Sequence, residues 1–266
     1  MAAVLIGVGT TAQAQAQLLQ TELPFLFNEA AGTGYPGSEV AGEVNDRGKA
    51  SPALVSGIPT AYGAEFGDVF GGAAYQRYLE TASNDGAIFL GAGAGDARQA
   101  VGIEVTHTTY DLAGDPLSDG SLSFKLHRRL YEGLAIAVGI ESAVKYGGDL
   151  AGTSAYTVAS YAVEIDGRFL TGASATVGIG DGRFNTMSNL AEGKNRAGWF
   201  GGMSLQWMDC ASVLGTWYGQ DLNLGLSVVV PGPIPVTVTP VWSSVLGRQA
   251  FGDRFALSIG ASYQFR

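Results

Sequence analysis

The residues of this chain best equipped for chemistry fall at alternate positions. Lys125, His127 and Arg129 interleave with Phe124, Leu126 and Arg128. Glu104 lies between Ile103 and Val105 in a similar run, and Glu141, Lys145 and Glu164 follow further along. Alternation puts each of these seven on one side of an extended strand and the apolar residues on the other. If the runs 99–110, 120–131 and 133–146 pair as successive hairpins, Glu104 falls beside Lys125. Glu141 is then one diagonal step from Lys125. An acid–base–acid cluster on the wall of a bore is the chemistry of a charged constriction that selects ions. The same cluster also suits a structural network that fills a small barrel and cancels its own buried charge. Catalysis is not expected. His127 has Ser121 and Ser123 on its own strand, but positions that close along one strand do not form a nucleophile–base pair, and no third orienting group is identifiable.

Other reactive types lead to ordinary readings. Asp111, Asp115 and Asp119 are spaced as oxygen ligands for calcium. Asp115-Pro116 and Asp119-Gly120 are also ordinary turn chemistry, so no metal is expected. Cys210 is the single cysteine; it has no disulfide partner and no basic neighbour to activate it. Gly91-Ala-Gly-Ala-Gly95 continues a strand with no helix after it, so it is not a phosphate loop, and no cofactor is implied.

The elements that must hold these residues are β-strands. Val101, Ile103 and Val105 alternate with Gly102, Glu104 and Thr106, and Leu122, Phe124 and Leu126 with Ser121, Ser123 and Lys125. Phe255, Leu257, Ile259, Ala261, Tyr263 and Phe265 alternate with small or polar residues. About twelve such runs are predicted, near 67–77, 86–95, 99–110, 120–131, 133–146, 154–166, 168–181, 197–208, 211–218, 221–230, 235–246 and 254–266. Many are the length of a membrane-crossing strand, roughly 9–11 residues. The expected fold is all-β: a transmembrane antiparallel up-and-down barrel of about twelve strands with a polar interior. The count drops to eleven if 211–218 merges with 221–230. A soluble sandwich or propeller competes, but no blade-length repeat is visible.

Connections and aromatics agree with the barrel. Through the first nine strands, short connections (96–99, 131–133, 166–167, 209–210) alternate with long ones (78–85, 111–119, 147–153, 182–196). Outer-membrane barrels alternate short periplasmic turns with longer outside loops. Tyr110, Tyr131, Tyr146, Trp199, Trp207, Trp217, Tyr218, Phe255 and Phe265 fall at or near strand ends, where interfacial girdles would sit. Pro240 lies inside a strand and removes a ladder donor, which predicts a bulge or a local edge.

Composition sets the compartment. The chain has 266 residues, 40 of them Gly, with 15% charged and a formal net charge of −9. That acidity, without any basic stripe, argues against nucleic acid. Residues 1–16 look like a signal peptide ending at Ala14-Gln15-Ala16, although the usual basic start is absent. Residues 17–64 show no sustained period and read as a flexible or plug-like segment, and 65–266 as the barrel.

Two stretches carry a resemblance. Gly215-Thr-Trp-Tyr-Gly-Gln-Asp-Leu-Asn-Leu-Gly-Leu-Ser227 resembles segments of bacterial outer-membrane barrels, especially a cyanobacterial group. Gly57-Ile-Pro-Thr-Ala-Tyr-Gly-Ala-Glu-Phe-Gly-Asp-Val-Phe70 and the aromatic C-terminus are similar to the same group. Asp-Leu-Asn-Leu-Gly stretches are also similar to barrel parts of exopolysaccharide-linked outer-membrane proteins. Such barrels end in an aromatic residue recognised by the barrel-assembly machinery; here Phe265 is followed by Arg266. The resemblance implies the outer membrane of a Gram-negative-type bacterium, with membrane lipid and the assembly machinery as partners. The expected function is a pore for small polar solutes, lined by Glu104, Lys125, His127, Arg129, Glu141, Lys145 and Glu164. The alternative is a non-conducting structural or assembly protein, linked to polysaccharide export.

Overall fold

Alternating small or polar and large apolar residues make strands that can bury one face only, and closing the sheet on itself hides that face. A computed structural model describes residues 52–79, 84–110, 118–147, 152–186, 189, 194–207, 210–232, 234–247 and 254–265. The signal-peptide reading, most of the 17–64 segment, and Asp111 and Asp115 lie outside these residues. The strands are β1 (Asp68–Tyr78), β2 (Asn84–Gly95), β3 (Gly102–Tyr110), β4 (Gly120–Tyr131), β5 (Leu134–Tyr146) and β6 (Ser154–Glu164). They continue as β7 (Leu170–Gly180), β8 (Gly198–Trp207), β9 (Ala211–Trp217), β10 (Leu222–Val230), β11 (Val236–Ser243) and β12 (Arg254–Gln264). Each pairs antiparallel with its neighbours in sequence, and β1 closes on β12 from Asp68↔Gln264 to Tyr78↔Arg254. The result is a closed twelve-stranded barrel. β9 is a strand of its own, which settles the count.

One end of the barrel carries the turns 96–101, 132–133, 165–169, 208–210 and 231–235, together with the start of β1 and the end of β12. We call it the terminal end. The distal end carries the connections 79–83, 111–119, 147–153, 181–197 and 244–253, of which all but the first are longer than any at the terminal end. The short 218–221 turn breaks the length alternation there. It can be short because it folds inward: Tyr218, Gln220 and Asp221 are buried, and Asp221 accepts the amides of Leu222 and Leu246 through Oδ1 at 2.7 and 3.0 Å.

The outer face is a band of exposed large apolar residues, among them Ile103, Phe124, Leu126, Ile140, Val177, Met203 and Leu226. Tyr131, Tyr146, Trp199, Trp207, Phe255 and Phe265 point outward near the strand ends. Tyr110 and Tyr218 do not join that girdle; both turn into the bore, where Tyr110 Oη meets Ser121 Oγ at 2.7 Å. Pro240 stays within β11, opposite Leu257. The β10–β11 register is the same on both sides of it, from Gly225↔Val241 to Val228↔Val238. The missing donor therefore opens a gap in the ladder and inserts no bulge.

The core lies inside the barrel. Residues 52–64 are buried within the bore and join no β-ladder. Leu54, Val55, Ile58 and Tyr62 pack there with Phe70, Phe89, Tyr156, Phe184 and Phe200 from the wall. Among the described residues, no helix is long and apolar enough to cross a membrane.

Candidate functional site: the occupied bore

The segment inside the bore runs as a loop. Ala53 is held near the terminal end: its amide donates to Ser227 Oγ at 2.9 Å, and its carbonyl accepts from Ser212 Oγ at 2.7 Å. Ser56 N donates to Thr216 Oγ1 at 3.2 Å, toward the distal end. The chain turns at Gly57, whose φ of 75° suits a residue without Cβ. It then descends the opposite wall. Ala61 N donates to Ser160 Oγ at 2.9 Å, and the Tyr62 hydroxyl donates to Gly133 O in the β4–β5 turn. Glu65 lies beside Arg129 at 3.6 Å, and the chain passes into β1.

The predicted charged residues gather where the descending leg lands. Register places Glu104 opposite Lys125, and their side chains form an ion pair at 3.0 Å. Both are buried on the inward face. The second Glu104 oxygen accepts Ala64 N at 2.8 Å. The Ala64 carbonyl accepts from His127 Nε2 at 3.1 Å, which makes Nε2 the protonated nitrogen. The two peptide units flanking Ala64 are thus clamped, one through its donor and the next through its acceptor. Gly63 makes the approach possible: a Cβ there would lie 2.6 Å from the His127 ring. Neither Ser121 nor Ser123 serves His127; they engage Tyr110 and Ser142.

Glu141 is near this group but has another partner. Glu104, Lys125 and Glu141 line one narrow gap with Thr106, Ser123 and Tyr156, too tight to admit a water molecule. Glu141 is gripped by both forks of Arg183, through Nε and through Nη2 at 2.6 Å. A bulge positions it: the β4–β5 register shifts between Leu122 and Phe124, and Ser142 takes a φ of 50°. Ser142 is held by Ser121, Ser123 and Thr153, so the turned backbone keeps its partners. Bulges re-aim side chains in this way.

Arg183 is the residue that sequence reasoning missed. It sits in a single 3-10 turn, Gly182–Phe184, at the distal end. Its Nη1 donates to Gly57 O at 2.9 Å, and its own carbonyl accepts from Gln220 Nε2 at 3.0 Å. Its guanidinium also lies 4.2 Å over the Phe184 ring. Arg183 therefore ties the apex of the loop, the β5 bulge and the 218–221 turn together. The two stretches that carry the outer-membrane resemblance are joined here, Gly57 and Gln220 both bonding Arg183. Lys145 and Glu164 share the inward face by register but lie exposed, at the distal and terminal ends respectively.

No protein-family model matches the chain, and no curated protein does. Among solved structures, the chain is similar to an outer-membrane channel from Pseudomonas putida. The identity is 12%, covering 84% of this chain and 99% of that one, with a TM-score of 0.46. The NanC porin is similar at 11% identity, over 74% and 99% of the two chains, with a TM-score of 0.39. An outer-membrane protein of Acinetobacter baumannii is similar at 12% identity, over 74% and 97%, with a TM-score of 0.34.

Proposed function

We propose that this chain is an outer-membrane pore for small polar solutes, closed at rest by its own residues 52–64. An exposed apolar band around a closed barrel needs lipid to cover it, and a barrel leaves no backbone edge unpaired in that lipid. The observation that carries the pore is how the loop is held. The hydrogen bonds named above between 52–64 and the wall each use a side chain, and residues 52–64 form no strand. The wall beneath it mixes hydroxyls and ion pairs, which water wets readily, with the rings of Phe70, Phe89, Tyr156 and Phe200, which hold the loop by apolar contact. A loop of this kind can leave without damaging the barrel. If the whole loop leaves, the Lys125, Glu104 and Glu141 group stands uncovered on the wall of the bore.

A second reading, a non-conducting structural or assembly protein linked to polysaccharide export, draws on the same filled bore if the loop never leaves. Planar-bilayer recording of refolded protein separates the two. The full chain is expected to conduct rarely, and a variant lacking 52–64 to conduct in stable steps. A deletion variant that folds and inserts but carries no current would favour the structural reading.

A further inference from the structure

The two legs of the loop are held by different chemistry. The descending leg, 58–65, meets neutral partners at Ser160 and Gly133 and then, where it lands, charged or ring partners: Glu104 and His127 on Ala64, and Arg129 beside Glu65. Hydrogen bonds to an ionised group are roughly twice as strong as neutral ones. The ascending leg, 52–56, packs Leu54 and Val55 in the apolar cluster, and its hydrogen bonds go to the neutral hydroxyls of Ser212, Thr216 and Ser227. Gly57, clamped by Arg183, divides the two. The walls differ in the same sense. β8, β9, β10 and β11 are consecutive in the barrel and contain no charged residue at all. Their inward positions include Ser204, Gln206, Ser212, Thr216, Asn223, Ser227, Thr237 and Thr239. β3, β4 and β5 carry Glu104, Lys125, Arg129 and Glu141.

We infer that the bore opens by one leg only: residues 52–56 swing off the β8–β11 wall about Gly57, and the path this uncovers takes uncharged, hydroxyl-rich solutes. The inference rests on the pore reading above. Residue 53 already lies near the terminal end, so a turn about Gly57 carries the leg toward that end. The uncovered hydroxyls then offer donors and acceptors without net charge, which matches the surface of a sugar or polyol. Ser227 Oγ and Thr239 Oγ1, now 2.9 Å apart, and Ser174 Oγ and Ser204 Oγ, 2.7 Å apart, show the wall satisfying itself until a solute exchanges with it. The charged wall stays covered by the descending leg.

Two disulfide locks test this in the full chain with Cys210→Ser. Ser56→Cys with Thr216→Cys pins the ascending leg, and Ala61→Cys with Ser160→Cys pins the descending one. Swelling of proteoliposomes in sucrose and in gluconate is the readout, with each lock confirmed by its gel shift. Oxidising the first lock is expected to slow sucrose entry at least tenfold, with recovery on reduction. The second lock should change it less than twofold, and sucrose should outrun gluconate. Closure by the second lock, no effect of either, or faster gluconate would overturn the inference. If a lock does not form, the triple change Ser212→Ala, Thr216→Val and Ser227→Ala decides. Freed of its anchors, the ascending leg should raise sucrose entry severalfold, and an unchanged rate would overturn the inference. Failure of the pore reading looks different: the variant lacking 52–64 would then admit neither solute.

Discussion

Arg183 carries more of the bore than any other side chain. Removing it leaves Glu141 buried without its bidentate partner, and breaking a buried pair from one side typically costs ~3–5 kcal/mol. Arg183→Ala is expected to show that loss in urea unfolding from lipid, while Arg183→Ala combined with Glu141→Gln should recover part of it. Lys125→Glu should also destabilise, because it sets like charges beside Glu104 in a buried place. Gly63→Ala acts through contact: its Cβ would push the His127 ring off Ala64. We expect it to loosen the Ala64 contact and lower stability without raising conductance, as read in urea unfolding and in bilayers. At the terminal end, Asp96 accepts the amides of Gln99 and Arg98 at 2.9 and 2.8 Å. These bonds, led by that of Gln99, hold its carboxyl below the ordinary 3.8. A lowered folded value means the turn is fully supported above the unfolded pKa and loses that support as pH falls through the folded one. Protection factors of the Arg98 and Gln99 amides should fall only on that acid side; protection indifferent to acid would refute the role.

At the scale of elements, facing is the first thing to check. Phe124 lies outward near the middle of β4, so Phe124→Arg should cost ~2–4 kcal/mol if it sits at the bilayer midplane. A spin label there that reports water would reverse inside and outside. The strands were legible because a period of two survives wherever one face is buried and the other meets lipid. β9, doubtful in sequence because Val213, Leu214 and Trp217 break a clean alternation, is a strand because β8 and β10 pair it on both sides. Glu104 opposite Lys125 was legible from hairpin register alone. Glu141 with Arg183 was not. Its partner lies in a 3-10 turn between strands, where no periodicity places a side chain, and the two residues are far apart in sequence. The loop contacts were hidden for a related reason. Ser212, Thr216 and Ser227 are visible as inward hydroxyls, but nothing local says that a distant backbone will use them.

For the whole molecule, the barrel reading predicts that unboiled protein in detergent migrates differently from boiled protein and is rich in β-structure. A soluble monomer without detergent would contradict it. The closure of β1 on β12 also says something about time. Every other pairing joins neighbours in sequence and forms as a hairpin, with little loop entropy to overcome. The β1–β12 seam alone joins the two extremes of the barrel, and a contact of that separation is kinetically slow. It should therefore form last. The loop 52–64 hangs directly from β1, so its insertion and the sealing of the cylinder belong to one late event. A chain whose ends are joined and which is reopened at a terminal-end turn such as 208–210 would keep every rung but move the slow seam to β8–β9. Its loop would then settle against the wall before the cylinder shuts, and insertion and sealing would come apart in time.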